Sequence, residues 1–366
     1  MTHLALIAVL AAAPKASTAT VLFAGDVTLG FHYEEYVDEL VSKGTPKDEA
    51  LTWGFLKVGE TTRAADLFVA NLECPFTARG TKIAKNFNFK ARPELVAALQ
   101  AGGVDVVSLA NNHLMDYGAE GLVDTLATLD AEKIRHFGAA ESLAAARAPA
   151  IVEVKGIKVA FLGYFFLGDR NIEPPEVIAV ESQPGVAGHF KDLPLLLSWV
   201  KEDVQAAKKK ADLVIPFFHW GREGTPVIEP YQPQLAKAAI DAGAAAVIGS
   251  HPHVLQGMEL YKNAPIVYSL GNFVFGGNWN PRDKKTAMVE LTISKKKVES
   301  VKVIPAYSDA FPEVKVQPYL AEGEKADEVL RHLANISRGF KQMLPQLEPY
   351  KTAPDAGTAQ PDAGAP

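Results

Sequence analysis

Ala244-Ala245-Ala246-Val247-Ile248-Gly249-Ser250-His251-Pro252-His253 is the stretch on which the reading of this chain turns. The apolar half reads as a buried strand, and the end of a strand is where sites collect in α/β folds. An extended backbone sets residues two apart on one side, and Pro252 biases His251 away from helix. The expectation is therefore two imidazoles leaving a strand mouth side by side, as a divalent metal requires of a His pair. Alone, such a pair serves a structural role as readily as a ligand role. Its weight comes from the polar clusters upstream, each of which also closes an apolar run.

Residues 20–24 read as a strand ending in Gly25-Asp26-Val27-Thr28, and residues 66–70 as one ending in Asn71-Leu72-Glu73. Residues 104–110 end in Asn111-Asn112-His113, and residues 212–218 in His219-Trp220-Gly221. Singly, each has a bland alternative: an Asx-turn or helix cap for Asp26, a surface charge for Glu73, loop chemistry for the asparagines, a hydrogen-bonded structural imidazole for His219. Asp116 reads mainly as the N-cap of a helix over residues 118–130. Together the strand ends supply two carboxylates, an Asn-His pair, a His and a His-x-His. That inventory suits one or two divalent ions of borderline hardness (Mn, Zn or Fe), held by carboxylate, imidazole and amide groups without thiolate. A bridging carboxylate would hold two such ions about 3.5–4 Å apart with a water between them.

The rest of the pattern supports a layered α/β sandwich. Helices are expected over residues 34–43, from Pro93 to the Gly102-Gly103 stop, and over 193–208, 234–242 and 320–344. Lys155-Gly156 reads as a hairpin turn between residues 151–154 and 157–162. Residues 174–189 form a long loop, a lid or an insertion. Beyond the His-x-His, residues 254–261, 265–270, 286–292 and 298–306 read as mostly antiparallel strands, so the sheets are mixed. Neither a 20–50-residue repeat, a Gly-rich dinucleotide fingerprint nor a P-loop occurs.

Across 366 residues, 48% are hydrophobic and 22% charged, the composition of a globular protein long enough to bury a large core. Against 43 acidic residues stand 37 basic ones, a net charge of -6, so no basic field exists to draw nucleic acid. Lys208-Lys209-Lys210 is the solvated end of a helix. Cys74 is the single cysteine, which excludes an intramolecular disulfide and a thiolate metal site. Residues 4–13 form an apolar run of signal-peptide length, too short to span a bilayer. Residues 1–19 are thus expected to be a cleaved signal peptide, and the protein periplasmic or extracellular. Residues 351–366, with Pro-Asp-Ala-Gly twice, are expected to be a disordered tail.

Six motifs in order carry a resemblance: Ala24-Gly25-Asp26-Val27; Asn71-Leu72-Glu73; Ala110-Asn111-Asn112-His113 with Asp116-Tyr117-Gly118; His219-Trp220-Gly221 with Glu223; Gly249-Ser250-His251-Pro252-His253; and Ser269-Leu270-Gly271-Asn272-Phe273. Over about residues 20–310 the chain resembles the bacterial capsule synthesis protein family (CapA, also called PgsA), associated with poly-γ-glutamate capsules and related to the calcineurin-like metallophosphoesterases. The resemblance implies a four-layer α/β/β/α sandwich over residues 20–310; the helical pattern beyond it reads as a C-terminal extension at 311–350. It implies that Asp26 and His253 hold a first metal, that Glu73 bridges, and that Asn112, His219 and His251 hold a second. It makes His113 the acid that protonates the leaving group. The usual His two residues after the first Asp is replaced by Thr28, and the bridging Asp by Glu73. Asn71, Asn111, Asp116, Glu223 and Asn272 are expected to orient ligands or touch substrate, with a surface charge the equal alternative for Glu223. Lys85, Lys90 and Arg92 are candidates for an anionic substrate, or are solvated loop charges.

Two functions from different classes follow from the resemblance. One is a metal-dependent hydrolase of the cell envelope, acting on phosphoester bonds in capsule or surface-polymer formation. The other is a non-catalytic accessory subunit that binds an anionic polymer within a membrane synthesis or export complex.

Overall fold

A computed structural model of the chain describes residues 17–277, 281, 283–308 and 316–351. The expected signal-peptide segment up to residue 16 and the tail from residue 352 lie outside the described residues. In chain order the first half runs β1 (Ala19–Thr28), α1 (His32–Ser42), α2 (Lys47–Leu51), α3 (Gly59–Ala64), β2 (Leu67–Leu72), α4 (Val96–Gly102), β3 (Val106–Ser108), α5 (Gly118–Ala131) and β4 (Arg135–Phe137). There follow β5 (Ala139–Ala140), α6 (Leu143–Ala146), β6 (Ala150–Val154), β7 (Ile157–Phe166), β8 (Gly185–Val186), α7 (Leu193–Ala207), β9 (Leu213–Trp220), α8 (Tyr231–Ala242) and β10 (Val247–Ser250). The chain closes with β11 (Met258–Tyr261), β12 (Ala264–Val267), β13 (Asn272–Phe275), β14 (Lys285–Ile293), β15 (Val298–Tyr307), β16 (Tyr319–Leu320) and α9 (Glu324–Ile336).

Two mixed sheets result. One has the order β16-β15-β14-β1-β2-β3-β4, with β13 also on β1; the other is β11-β12-β10-β9-β7-β6. Strand alternation explains how they stack. From β1, Val21 and Phe23 enter the core between the sheets, while Leu22 and Ala24 face the opposite way, into the cluster with α1, α4 and α5. From β9, Leu213, Ile215 and Phe217 join the same inter-sheet core, while Val214, Phe218 and Trp220 pack under α7 and α8. Phe23 and Phe161 meet edge-on across that core, their ring centroids 6.3 Å apart. The architecture is the four-layer α/β/β/α sandwich, the central strands of each sheet buried on both faces. Lys155 and Gly156 both take positive φ, 48° and 78°, the type I′ geometry that closes the β6–β7 hairpin.

Several expectations need correction. The strand carrying the His-x-His stops at Ser250. His251 and His253 take φ of 98° and 58°, so a left-handed loop rather than an extended backbone delivers both imidazoles. The His251 N–H leaves the ladder for Asp26 Oδ2, 3.3 Å away on the other sheet, which accounts for the strand's early end. Asp116 is not the cap of α5: Tyr117 holds that position and makes no side-chain capping bond. Residues 320–344 are not one helix, because β16 pairs with β15 before α9 begins. Val329, Leu330 and Leu333 of α9 then bury into the inter-sheet core. The short strand β13, parallel to β1, was not anticipated. No described helix is long and apolar enough to cross a membrane.

Candidate metal centre

Sheet register assembles the site. Asp26 on β1 stands beside Asn71 on β2 and Asn272 on β13. Gly25 allows this: a Cβ there would lie 1.9 Å from the Gly271 carbonyl oxygen, which accepts the Asp26 N–H at 3.0 Å. In the second sheet His219 on β9 is in register with Ser250 on β10. The loops after β3 and β10 then bring Asn112, His251 and His253 over the same strand ends.

The six expected ligands meet. His219 Nε2 lies 2.8 Å from Asn112 Oδ1, 3.0 Å from His251 Nδ1 and 3.4 Å from Glu73 Oε1. Each neighbour brings a lone pair, and a single ring proton serves only one of them. Glu73 Oε1 is buried and accepts no hydrogen bond. On its other side is His253 Nε2 at 3.9 Å. His253 Nδ1 lies 3.3 Å from Asp26 Oδ2 and 2.9 Å from Asn272 Oδ1. Two sets of three, Glu73–His219–His251 and Asp26–Glu73–His253, have ligand atoms all within 4.8 Å of one another, and Glu73 belongs to both. Exposed Glu223 makes a further set with His251 and His253. An orphaned carboxylate oxygen among lone-pair donors is costly for a dry pocket and suited to a cation. The donor set fits a divalent metal, and these groups could hold one.

Electrostatics point the same way. Burial pushes the His219 imidazole down to about 3, the nearby Asp26 charge only partly opposing it. Burial and the neighbouring imidazoles take His251 well below its usual value. Both are therefore neutral, the form that binds metal. Burial, with the negative charge of Asp26 nearby, raises Glu73 well above the carboxylate range. Asp26 behaves differently: burial works to raise it, but the hydrogen bond and charge of His253 bring it lower. Burial works against the charged His253 ring too, yet Asp26 raises it.

Around this centre the other candidates divide. Asn71 Nδ2 donates to Asp26 Oδ1 at 2.8 Å. Asn111 Nδ2 donates to Asn71 Oδ1 at 3.1 Å, and its own Oδ1 accepts the backbone N–H groups of His113 and Leu114, so it shapes the loop. Thr28 Oγ1 donates to the Glu73 carbonyl at 3.1 Å. Asp116 Oδ2 lies 2.7 Å from His113 Nδ1 and accepts the Phe89 N–H at 2.6 Å. Burial lowers the His113 imidazole, and Asp116 partly restores it. Two of the three candidate cations are already paired with carboxylates. Lys85 sits between Asp116 and Glu173 at 2.9 and 2.8 Å, Arg92 is tied to Glu34, Asp38 and Glu94, and Lys90 lies over the Tyr117 ring. Sequence reading missed Glu173, whose Oε1 accepts from Asn112 Nδ2 at 3.0 Å and so turns the amide oxygen toward His219. It lies in a loop without periodicity, where no pattern marks it. Ser250 was visible only as part of a motif; its Oγ lies 3.1 Å from His219 Nδ1.

A cleft of about 570 Å³ opens beside this centre, with His113, His253 and Glu223 in its lining.

Comparison with known proteins agrees with the motifs. The family described as "Bacterial capsule synthesis protein PGA_cap" matches residues 20–277. The chain is 34% identical over 293 residues to the capsule biosynthesis protein CapA of Bacillus anthracis, covering 78% of this chain and 66% of that one. It is 32% identical over 286 residues to the PGA biosynthesis protein CapA of Bacillus subtilis, covering 77% and 70%. A probable polyglutamine synthesis accessory protein of Mycobacterium tuberculosis is 34% identical over 233 residues, covering 63% and 60%. The matched region thus spans about two thirds of the length of the first two relatives, and less of the third.

Proposed function

Because the chain belongs to the bacterial capsule synthesis protein family, we propose that it is a metal-dependent phosphoester hydrolase of capsule or poly-γ-glutamate formation, working in the cell envelope. The observation that carries this reading is Glu73 Oε1, buried without a hydrogen bond and shared by two three-ligand sets. Asp26 and His253 would hold one divalent ion, Asn112, His219 and His251 a second, with Glu73 between them. Mn, Zn or Fe suits this mixture of donors. When bound, such a metal supplies Lewis-acid polarisation of a phosphoryl oxygen and an activated water.

The chain's own part is geometric. With such an ion bound, His113 would give a proton to the departing alcohol oxygen as the ester P–O bond breaks, while water, releasing a proton to solvent, would take its place on phosphorus. Asp116, 2.7 Å from His113 Nδ1, orients the ring and favours its protonated form. Glu173 orients the Asn112 amide.

The accessory reading draws on the mycobacterial relative, a probable polyglutamine synthesis accessory protein. Against it stands the pairing of Lys85 and Arg92 with carboxylates, which leaves the pocket poor in free positive charge. Hydrolysis of a phosphodiester and a phosphomonoester with Mn²⁺ or Zn²⁺ separates the two. Turnover lost in His113→Ala with metal retained supports the hydrolase; no turnover, with poly-γ-glutamate bound, supports the accessory role.

A further inference from the structure

The cleft beside the metal centre has an unusual wall. Among the described residues Phe31, Phe87, Phe89 and Phe275 line it, with Lys82 the one lysine or arginine and Glu223 a carboxylate. Phe87 is 70% exposed and Phe31 49%, although burying such a ring is among the larger favourable terms in folding. Phe31 also takes φ 55°, ψ -121°, a backbone region that a bulky side chain adopts only under constraint. The rings run inward without a break: Phe31 lies 6.2 Å from Phe89, and Phe89 lies 4.2 Å from the His113 ring at 34°. On the other side Phe275 stands edge-on to Phe89 at 6.3 Å and 4.7 Å from the His253 ring. An aromatic passage thus leads from solvent to the proton donor and to one expected metal ligand.

Resting on the phosphoester reading, we propose that this cleft receives the leaving group, and that the leaving group carries a planar aromatic ring, as in an aryl or nucleoside phosphoester. Stacking on exposed phenyl faces recognises such a ring at little entropic cost. A γ-linked glutamate chain carries a carboxylate on every residue and, among the described lining residues, would meet the Lys82 cation, the Glu223 carboxylate and the exposed rings of Phe31 and Phe87. The polymer is therefore not the occupant of this cleft. His113 lies where it would reach the oxygen joining ring-bearing alcohol to phosphorus.

Calorimetric titration of metal-loaded protein with phenylphosphonate and with methylphosphonate tests this without turnover. The expected result is roughly tenfold tighter binding of the phenyl compound, falling toward parity in Phe87→Ala and in Phe31→Gly, both at exposed positions. Excess poly-γ-glutamate should not displace phenylphosphonate. Equal affinities, binding of neither compound, or displacement by the polymer overturns the proposal. Because binding is read directly, an aryl preference without hydrolysis upholds this inference while removing the hydrolase reading. Hydrolysis without an aryl preference does the reverse.

Discussion

Glu73 Oε1 lies 3.4 Å from His219 Nε2, deep between the two sheets, and no hydrogen bond joins them. The carboxylate is fully buried, and so is the imidazole. Such a contact makes sense when a third party, a cation, is drawn to both.

Glu73→Gln keeps the shape and removes the ionisable group. In chelator the variant should melt close to the parent, because burial already favours the uncharged carboxyl and the amide is its isostere. Added Mn²⁺ or Zn²⁺ should raise the parent's melting temperature and leave the variant's nearly unchanged. A lower melting temperature in chelator would make the carboxylate structural.

Glu173 touches Asn112 and Lys85 rather than the expected ligand atoms. Glu173→Ala frees the Asn112 amide to turn, and metal affinity should drop about 10- to 100-fold, as for other partners that orient ligands. Competition with a calibrated chelator measures it. Unchanged affinity would remove the orienting role.

His113 is bonded to Asp116 and lies tilted against the Phe89 ring, outside both three-ligand sets. His113→Ala should leave the bound metal in place while lowering kcat about 10²- to 10⁴-fold. Elemental analysis beside a phosphoester assay reads both quantities. Loss of metal from the variant would make His113 a ligand instead.

The end of the sandwich away from the site supplies a pH prediction. Asp66 accepts from the Thr20 N–H at 2.9 Å and pairs with Lys155 of the β6–β7 turn at 2.7 Å, tying the two sheets together. Burial works to raise its pKa, but Lys155 and Thr20 bring it below the ordinary carboxylate value of 3.8. A depressed folded-state pKa contributes stability above 3.8 and loses it as pH falls through the folded value. Both side chains are partly exposed, so Asp66→Asn should cost about 1 kcal/mol or less at pH 7. In denaturant melts the gap between variant and parent should narrow as pH falls below 3.8. A gap constant with pH would show that hydrogen bonding to Thr20, not charge, does the tying.

What the sequence disclosed follows from physical range. Apolar runs closing in Asp26, Glu73, His219 and Ser250 mark strand ends, because burial and alternation are written locally; the sheets then had to gather them. The His251/His253 pair was legible for the wrong reason. Its loop geometry is set by a bond from the His251 N–H to Asp26, 225 residues away in sequence. Asp116 looked like a helix cap because local spacing favours one, and only the fold shows His113, Phe89 and Lys85 competing for it. The pairing of Lys85 with Glu173 and of Arg92 with Glu34 and Asp38 was not legible because those carboxylates come from distant segments. Glu173 could not be found without knowing where the Asn112 amide points.

Metal stoichiometry in the purified protein tests the central claim most directly, by elemental analysis of the parent beside Glu73→Gln and His251→Ala. The expected result is one or two equivalents of Mn, Zn or Fe in the parent, a sharp loss in both variants, and a rise in melting temperature when metal is restored to stripped parent. Parent protein without transition metal, with no melting shift on adding any of the three, would contradict it.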